Sequence, residues 1–108
     1  MFVAVVLVKE RAEAHFLFRT VDRIKPKGFV EAVRLFELRC ERAGDIAFEL
    51  GLCREWEEIY PLIEERRAGA AARVLAFLQT YPDDGVAQFH ARRMSASGAA
   101  SVSRPMPG

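Results

Sequence analysis

Asparagine is absent from this chain, and its only aspartates are Asp22, Asp45, Asp83 and Asp84. Mechanisms that need a carboxamide beside the reacting centre, or converging aspartates around two metal ions, have few residues to draw on. Asp83 and Asp84 sit between Pro82 and Gly85, a setting that suits a helix cap better than a metal cage. Cysteine is scarce as well. Cys40 and Cys53 have no Cys-x-x-Cys spacing around them, so a disulfide scaffold is excluded and both read as buried or half-buried cytosolic thiols. Cys40 lies between Arg39 and Glu41 and reads as a strand-end residue, not as half of a cysteine-histidine pair. His15 and His90 stand far apart with no second imidazole at ligand spacing, which leaves no structural zinc site. No catalytic residue and no metal ligand is assigned.

An excess of one charge is missing too: 16 basic side chains face 15 acidic ones, for a net charge of +1. No general field draws the chain to nucleic acid or to an anionic membrane, although a local basic patch remains open. The longest apolar run is MFVAVVLV, residues 1–8. It is far short of the roughly 20 residues that span a bilayer as a helix. It passes directly into Lys9, Glu10 and Arg11, without the basic start or small-residue cleavage site of a signal peptide. No membrane segment is expected. The nucleophile-elbow, phosphate-loop and dinucleotide-binding glycine patterns are all absent.

What is present describes one globular α+β domain: 108 residues, 51% hydrophobic, enough for one modest core. The β-branched residues of 1–8 predict a buried N-terminal strand. A short charged helical piece over 10–14 follows. Phe16 to Ile24 has β character, Lys25-Pro26-Lys27-Gly28 is a turn, and Val30 to Leu38 is the returning arm of a hairpin. From Asp45 the period changes: Phe48, Leu52, Trp56, Ile59 and Ile63 recur every three or four residues, as on an amphipathic helix. Pro61 predicts a kink or restart near Tyr60. A second helix is expected over Ala70 to Thr80, between Gly69 and Pro82, and a third from the Asp83-Asp84-Gly85 cap to about Met94. Residues 95–108 contain little to bury and read as a disordered tail. The expected layout is therefore a β portion over 1–40, a helical hairpin within 41–94, and the tail.

Trp56, Tyr60, Phe77 and Tyr81 are open to two readings, a base-stacking set or helix core. Their helical spacing favours core, with Trp56 seated against Val74 and Phe77. Asp22 is expected to pair with Arg19, Arg23 or the turn backbone.

The stretch FLFRTVDRIKPKGFVEAVRLFELR, residues 16–39, resembles the C-terminal β-hairpin of class III adenylate/guanylate cyclase catalytic domains, through Arg19, Val21, Asp22, Ile24, Lys27, Gly28, Val33, Phe36, Glu37 and Leu38. MFVAVVLVKE is similar to the strand that precedes it, and Pro82-Asp83-Asp84-Gly85 to the end of a tetratricopeptide-like extension found in several bacterial cyclases. The resemblance implies conversion of ATP, or less often GTP, to the 3′,5′-cyclic nucleotide and pyrophosphate by two magnesium ions and a dimer of catalytic domains. It assigns Lys27 to the nucleotide phosphates. Where the family usually has valine before this lysine and often lysine after the glycine, this chain has Pro26 and Phe29. The family's metal-binding aspartates and its asparagine-arginine pair lie upstream of the hairpin. Here only fifteen residues without Asp or Asn precede it. The expectation is a cytoplasmic C-terminal fragment of a cyclase, inactive alone, with magnesium belonging to the intact family. The alternative is a small protein-protein interaction module that uses its helical hairpin. Either way, unpaired strand edges and an uncovered helix face imply a protein partner or self-association.

Overall fold

A computed structural model describes the backbone of residues 2–102 and the side chains of residues 9–96. The elements run β1 (Phe2–Val5), α1 (Val6–Ala12), β2 (Phe16–Ile24), β3 (Val33–Glu41), α2 (Ala47–Glu64), α3 (Ala70–Thr80) and α4 (Gly85–Val102). The class is α+β, with a strand and a hairpin followed by helices. The chain divides into two units, residues 1–66 and 67–108.

In the first unit, three strands form an antiparallel sheet in the order β1-β3-β2. The N-terminal strand is shorter than the apolar run that predicts it. It stops at Val5, and α1 takes over at Val6. A continuous apolar run is ambiguous between strand and helix, and the helix formers just beyond it, with Lys9 and Glu13 paired at 2.6 Å one turn apart, draw the helix start backward. β2 begins and ends where the β pattern does. β3 starts at Val33, three residues later than expected. Val30, placed in the strand by its residue type, lies with Phe29 in the loop, and both are exposed.

The hairpin register slips twice. Leu17 pairs with Cys40 but Phe18 with Leu38, so Arg39 is an extra residue on β3. Thr20 pairs with Phe36 but Asp22 with Leu35, so Val21 is an extra residue on β2. Such bulges bend a strand and re-aim its side chains, and both occur where the sheet meets α2.

α2 is one helix of 18 residues that passes through Pro61, not two pieces. Proline removes the N–H that would bond the Glu57 carbonyl, but position 61 lies within the last turn, where little helix remains to be disrupted. Below it, Leu52, Cys53, Trp56, Ile59 and Tyr60 form the buried stripe. Because α2 packs on β2, it belongs with the sheet, and the boundary falls after Arg66 rather than near residue 40.

In the second unit, α3 and α4 pack on each other. α3 occupies the expected Ala70–Thr80, and its N-cap Gly69 has φ +90°, a conformation that favours glycine. α4 opens at the expected cap, where Asp84 Oδ2 accepts a hydrogen bond from the Ala87 N–H at 2.9 Å. Its backbone stays helical through Val102, beyond the expected end near Met94. The alanines of this stretch have no side-chain entropy to lose in a helix. Residues 103–108 of the expected tail lie outside the described residues.

Candidate functional site

The Lys25-to-Ala32 connection carries the one residue to which the sequence assigns a ligand. The Phe29 N–H closes a turn onto the Pro26 carbonyl at 3.0 Å, and Gly28 takes φ +88°, the left-handed geometry that a type II turn requires at its third position. A Cβ built at Gly28 would meet nothing within 4 Å. Lys27 is exposed on this projecting turn, beside exposed Lys25. No carboxylate is bonded to either among the described contacts.

Below the turn the hairpin is braced by charges inside the fold. Arg19 on β2 and Glu37 on β3 are register partners, and the Arg19 Nε donates to Glu37 Oε1 at 2.8 Å with the Arg19 side chain fully covered. The same oxygen accepts from Arg39 Nη1 at 3.1 Å, and Arg39 Nε donates to Glu49 Oε1 on α2 at 2.7 Å. The result is an alternating chain, Arg19-Glu37-Arg39-Glu49, that crosses three elements with no net charge. Burial works against the Arg39 cation, but its bonds to Glu49 and Glu37 outweigh that and lift its pKa well above the ordinary arginine value.

α2 reaches the outer edge of β2 at Thr20. Glu57 Oε2 accepts from the Thr20 N–H at 2.6 Å, and Glu57 Oε1 accepts from the Thr20 hydroxyl at 2.9 Å. The Trp56 indole N–H donates to the Thr20 carbonyl at 2.6 Å, and the Arg19 guanidinium carbon lies 5.4 Å from the centre of the Trp56 ring. The expected burial of Trp56 holds at 0% exposure, and its indole N–H is taken up by β2.

Further along, Arg34 Nη2 donates to Glu64 Oε2 at 3.3 Å, and its Nη1 lies 3.2 Å from Oε1, an ion-pair contact without hydrogen-bond alignment. Its guanidinium sits 5.9 Å from the Tyr60 ring centre. Burial, reinforced by the Asp22 and Glu64 carboxylates, pushes the Tyr60 hydroxyl well above the usual tyrosine range. Burial also pushes the Cys53 thiol up to about 11, against the pull of Arg39 and Arg19. Such a thiol is protonated near neutral pH and a poor nucleophile.

Among the residues singled out from sequence, Asp22 meets backbone: its Oδ1 accepts from the Arg23 N–H at 2.8 Å. Trp56 and Tyr60 neighbour each other on α2 with ring centres 6.5 Å apart, and Phe77 and Tyr81 at 4.7 Å in the second unit. Neither ring pair is an open stacking platform, since Trp56, Tyr60 and Phe77 are buried. The Arg19–Glu37 pair and the Glu57 clamp were missed. A hairpin register counted from Ile24 opposite Val33 places Arg19 opposite Leu38, and only the bulge at Val21 brings it to Glu37, while Glu57 lies 37 residues from its partner and has no local signal. Among the described residues, no group of three or more His, Cys, Asp and Glu side chains is placed to hold a metal ion.

No family model, curated protein or solved structure matches the chain.

Proposed function

We propose that this chain is the C-terminal portion of a class III adenylate/guanylate cyclase, its hairpin completing the catalytic domain and its helices extending beyond it. The observation that carries the reading is that the two oppositely charged positions of the cyclase-like stretch, Arg19 and Glu37, are register partners joined at 2.8 Å. The Lys27-Gly28 step, in turn, projects as a tight turn with its lysine exposed. In the family reaction the ribose 3′-oxygen attacks the α-phosphorus, the bond to the β-phosphate oxygen breaks, and pyrophosphate leaves. Lys27 is the residue of this chain available to the phosphates. The magnesium ligands belong to the rest of the domain, and the chain alone is inactive. We place it in the cytoplasm, where ATP and GTP are made available to such a domain. Among the described residues, no helix is long and apolar enough to cross a membrane.

The test is to fuse the chain behind a cyclase core from which the corresponding hairpin has been deleted, and to measure cyclic AMP and cyclic GMP. The fusion is expected to restore turnover that Lys27→Ala lowers, while the unfused chain with either nucleotide and magnesium or manganese makes neither product. A folded fusion that stays inactive overturns the reading. Turnover by the unfused chain that follows it through purification and vanishes with Lys27→Ala overturns its assignment as inactive alone.

A second reading, a protein-protein interaction module, is favoured by Leu75 on α3 and Phe89 on α4, both left exposed. The fusion separates the two, because a module has no means of restoring nucleotide turnover.

A further inference from the structure

Large apolar side chains left in solvent are unevenly distributed over this molecule. Of the six among the described residues, Ile24, Phe29 and Val30 share one end of the hairpin, with Val30 at 88% exposure and Phe29 at 57%. Exposed Arg23, Lys25 and Lys27 accompany them, against the single carboxylate of Glu31 in the loop. The chain as a whole is almost neutral, so this is a local patch and not part of a general field.

We propose that this tip docks on the surface of an anionic membrane, with Phe29 and Val30 entering the headgroup region and Lys25 and Lys27 facing lipid phosphates and carboxylates. The tip stands open, with Lys25, Lys27, Gly28, Phe29 and Val30 all exposed. A protein partner would need a matching cavity to bury two adjacent apolar side chains on such a point, whereas a bilayer interface closes around any shape. Charge favours the same occupant. Apolar residues ringed by lysine match the anionic cytoplasmic leaflet, while two tips meeting each other would bring like charges together. The proposal goes beyond the cyclase reading and does not depend on it; with the tip on lipid, Lys27 is withdrawn from the nucleotide, so the two contacts exclude each other at any one moment.

The full chain is sedimented with vesicles of phosphatidylcholine, alone or mixed with phosphatidylserine. It is expected to pellet with the mixed vesicles, to stay in solution with phosphatidylcholine alone, and to be released by added salt. The double variant Phe29→Ser/Val30→Ser changes two exposed positions and should lower partitioning by about tenfold or more, since both apolar contacts are lost. Lys25→Glu/Lys27→Glu should weaken it by about tenfold. A Phe29→Trp chain should shift its emission to shorter wavelength on the mixed vesicles, over the constant signal of buried Trp56. A folded wild-type chain that remains in solution with mixed vesicles overturns the proposal and turns the tip over to a protein partner. Pelleting that survives Phe29→Ser/Val30→Ser overturns it equally, and equal binding to phosphatidylcholine alone overturns the part given to the lysines. Cyclic-nucleotide output of the fusion is a separate readout, so the two readings fail separately.

Discussion

Residues 1–66 bury Arg19, Thr20, Asp22 and Glu37 among their apolar side chains, whereas the second unit buries Ala70, Val74, Phe77, Val86 and Ala87, with Asp84 and His90 as its polar members. The first unit is thus held by directional groups that each need a partner, and the second largely by small apolar surfaces plus one helix cap. A polar interior that needs its partners specifies one arrangement, but it loses more when a single member is removed. An alanine-rich helix pair tolerates exchange and is marked mainly by its caps.

The largest effect should come from Glu37→Ala, which removes the carboxylate bonded to the fully covered Arg19 side chain. Removing one partner of a buried ion pair costs about 3–5 kcal/mol. Because Trp56 is the only tryptophan, its fluorescence in a urea titration reads that unit directly. Replacing both partners with apolar residues, as in Arg19→Met/Glu37→Leu, should recover most of the loss. If the double change is as damaging as the single one, the difference between the units does not lie in uncompensated charge.

Alkaline pH should weaken the first unit next. Cys53 ionises at about 11 when folded against an ordinary 9.0. Above 9.0 the unfolded chain therefore loses this proton first, and stability falls as pH rises toward 11. The separation is worth about 2–3 kcal/mol at the alkaline end, and Tyr60, raised in the same direction, adds to the fall. Cys53→Ala should flatten the lower part of that profile in urea titrations run from neutral to alkaline pH.

Trp56→Phe keeps most of the ring but withdraws the N–H that bonds the Thr20 carbonyl. An unpaired buried carbonyl should cost about 1–3 kcal/mol, measured by thermal melts followed in the far ultraviolet. The smallest change is expected from Asp84→Ala. Loss of its N-cap bond should cost about 1 kcal/mol, seen as reduced helicity, with the Trp56 unfolding transition unmoved. A shift of that transition would show that the two units unfold as one.

Where local chemistry decides an element, it was legible in the residues. The β-branched and aromatic run from Phe16 ends in a proline-glycine turn, Gly69 and Pro82 flank α3, and Asp84 stands one residue before α4. Where tertiary partners decide, it was not. Val30 has the residue type of a strand but no partner on β2, where the pairing ends at Ile24 and Val33, and strand identity follows packing more than intrinsic preference. Pro61 suggested a break that its place in the last turn makes unnecessary. The helical stripe of α2 marks Trp56 as buried, yet periodicity tells only which face turns inward and not what it meets, so the bond from the indole to the Thr20 carbonyl has no signal in the spacing. Lys27 was legible as a turn lysine because glycine follows it. The apolar tip was not, since Val30 has strand character and Phe29 beside the turn carries no local signal of exposure.

The clamp on Thr20 bears on the order in which the first unit assembles. α2 can seat Glu57 and Trp56 only if the Thr20 N–H and C=O both turn away from β3, which happens in the bulged register that leaves Val21 unpaired. A hairpin misaligned by one residue would reverse its faces, separate Arg19 from Glu37, and offer the helix the wrong edge. Helix docking, some 36 residues removed in sequence from its target, therefore acts as a proofreading step: it rewards the correct strand alignment and leaves an incorrect one free to come apart and try again.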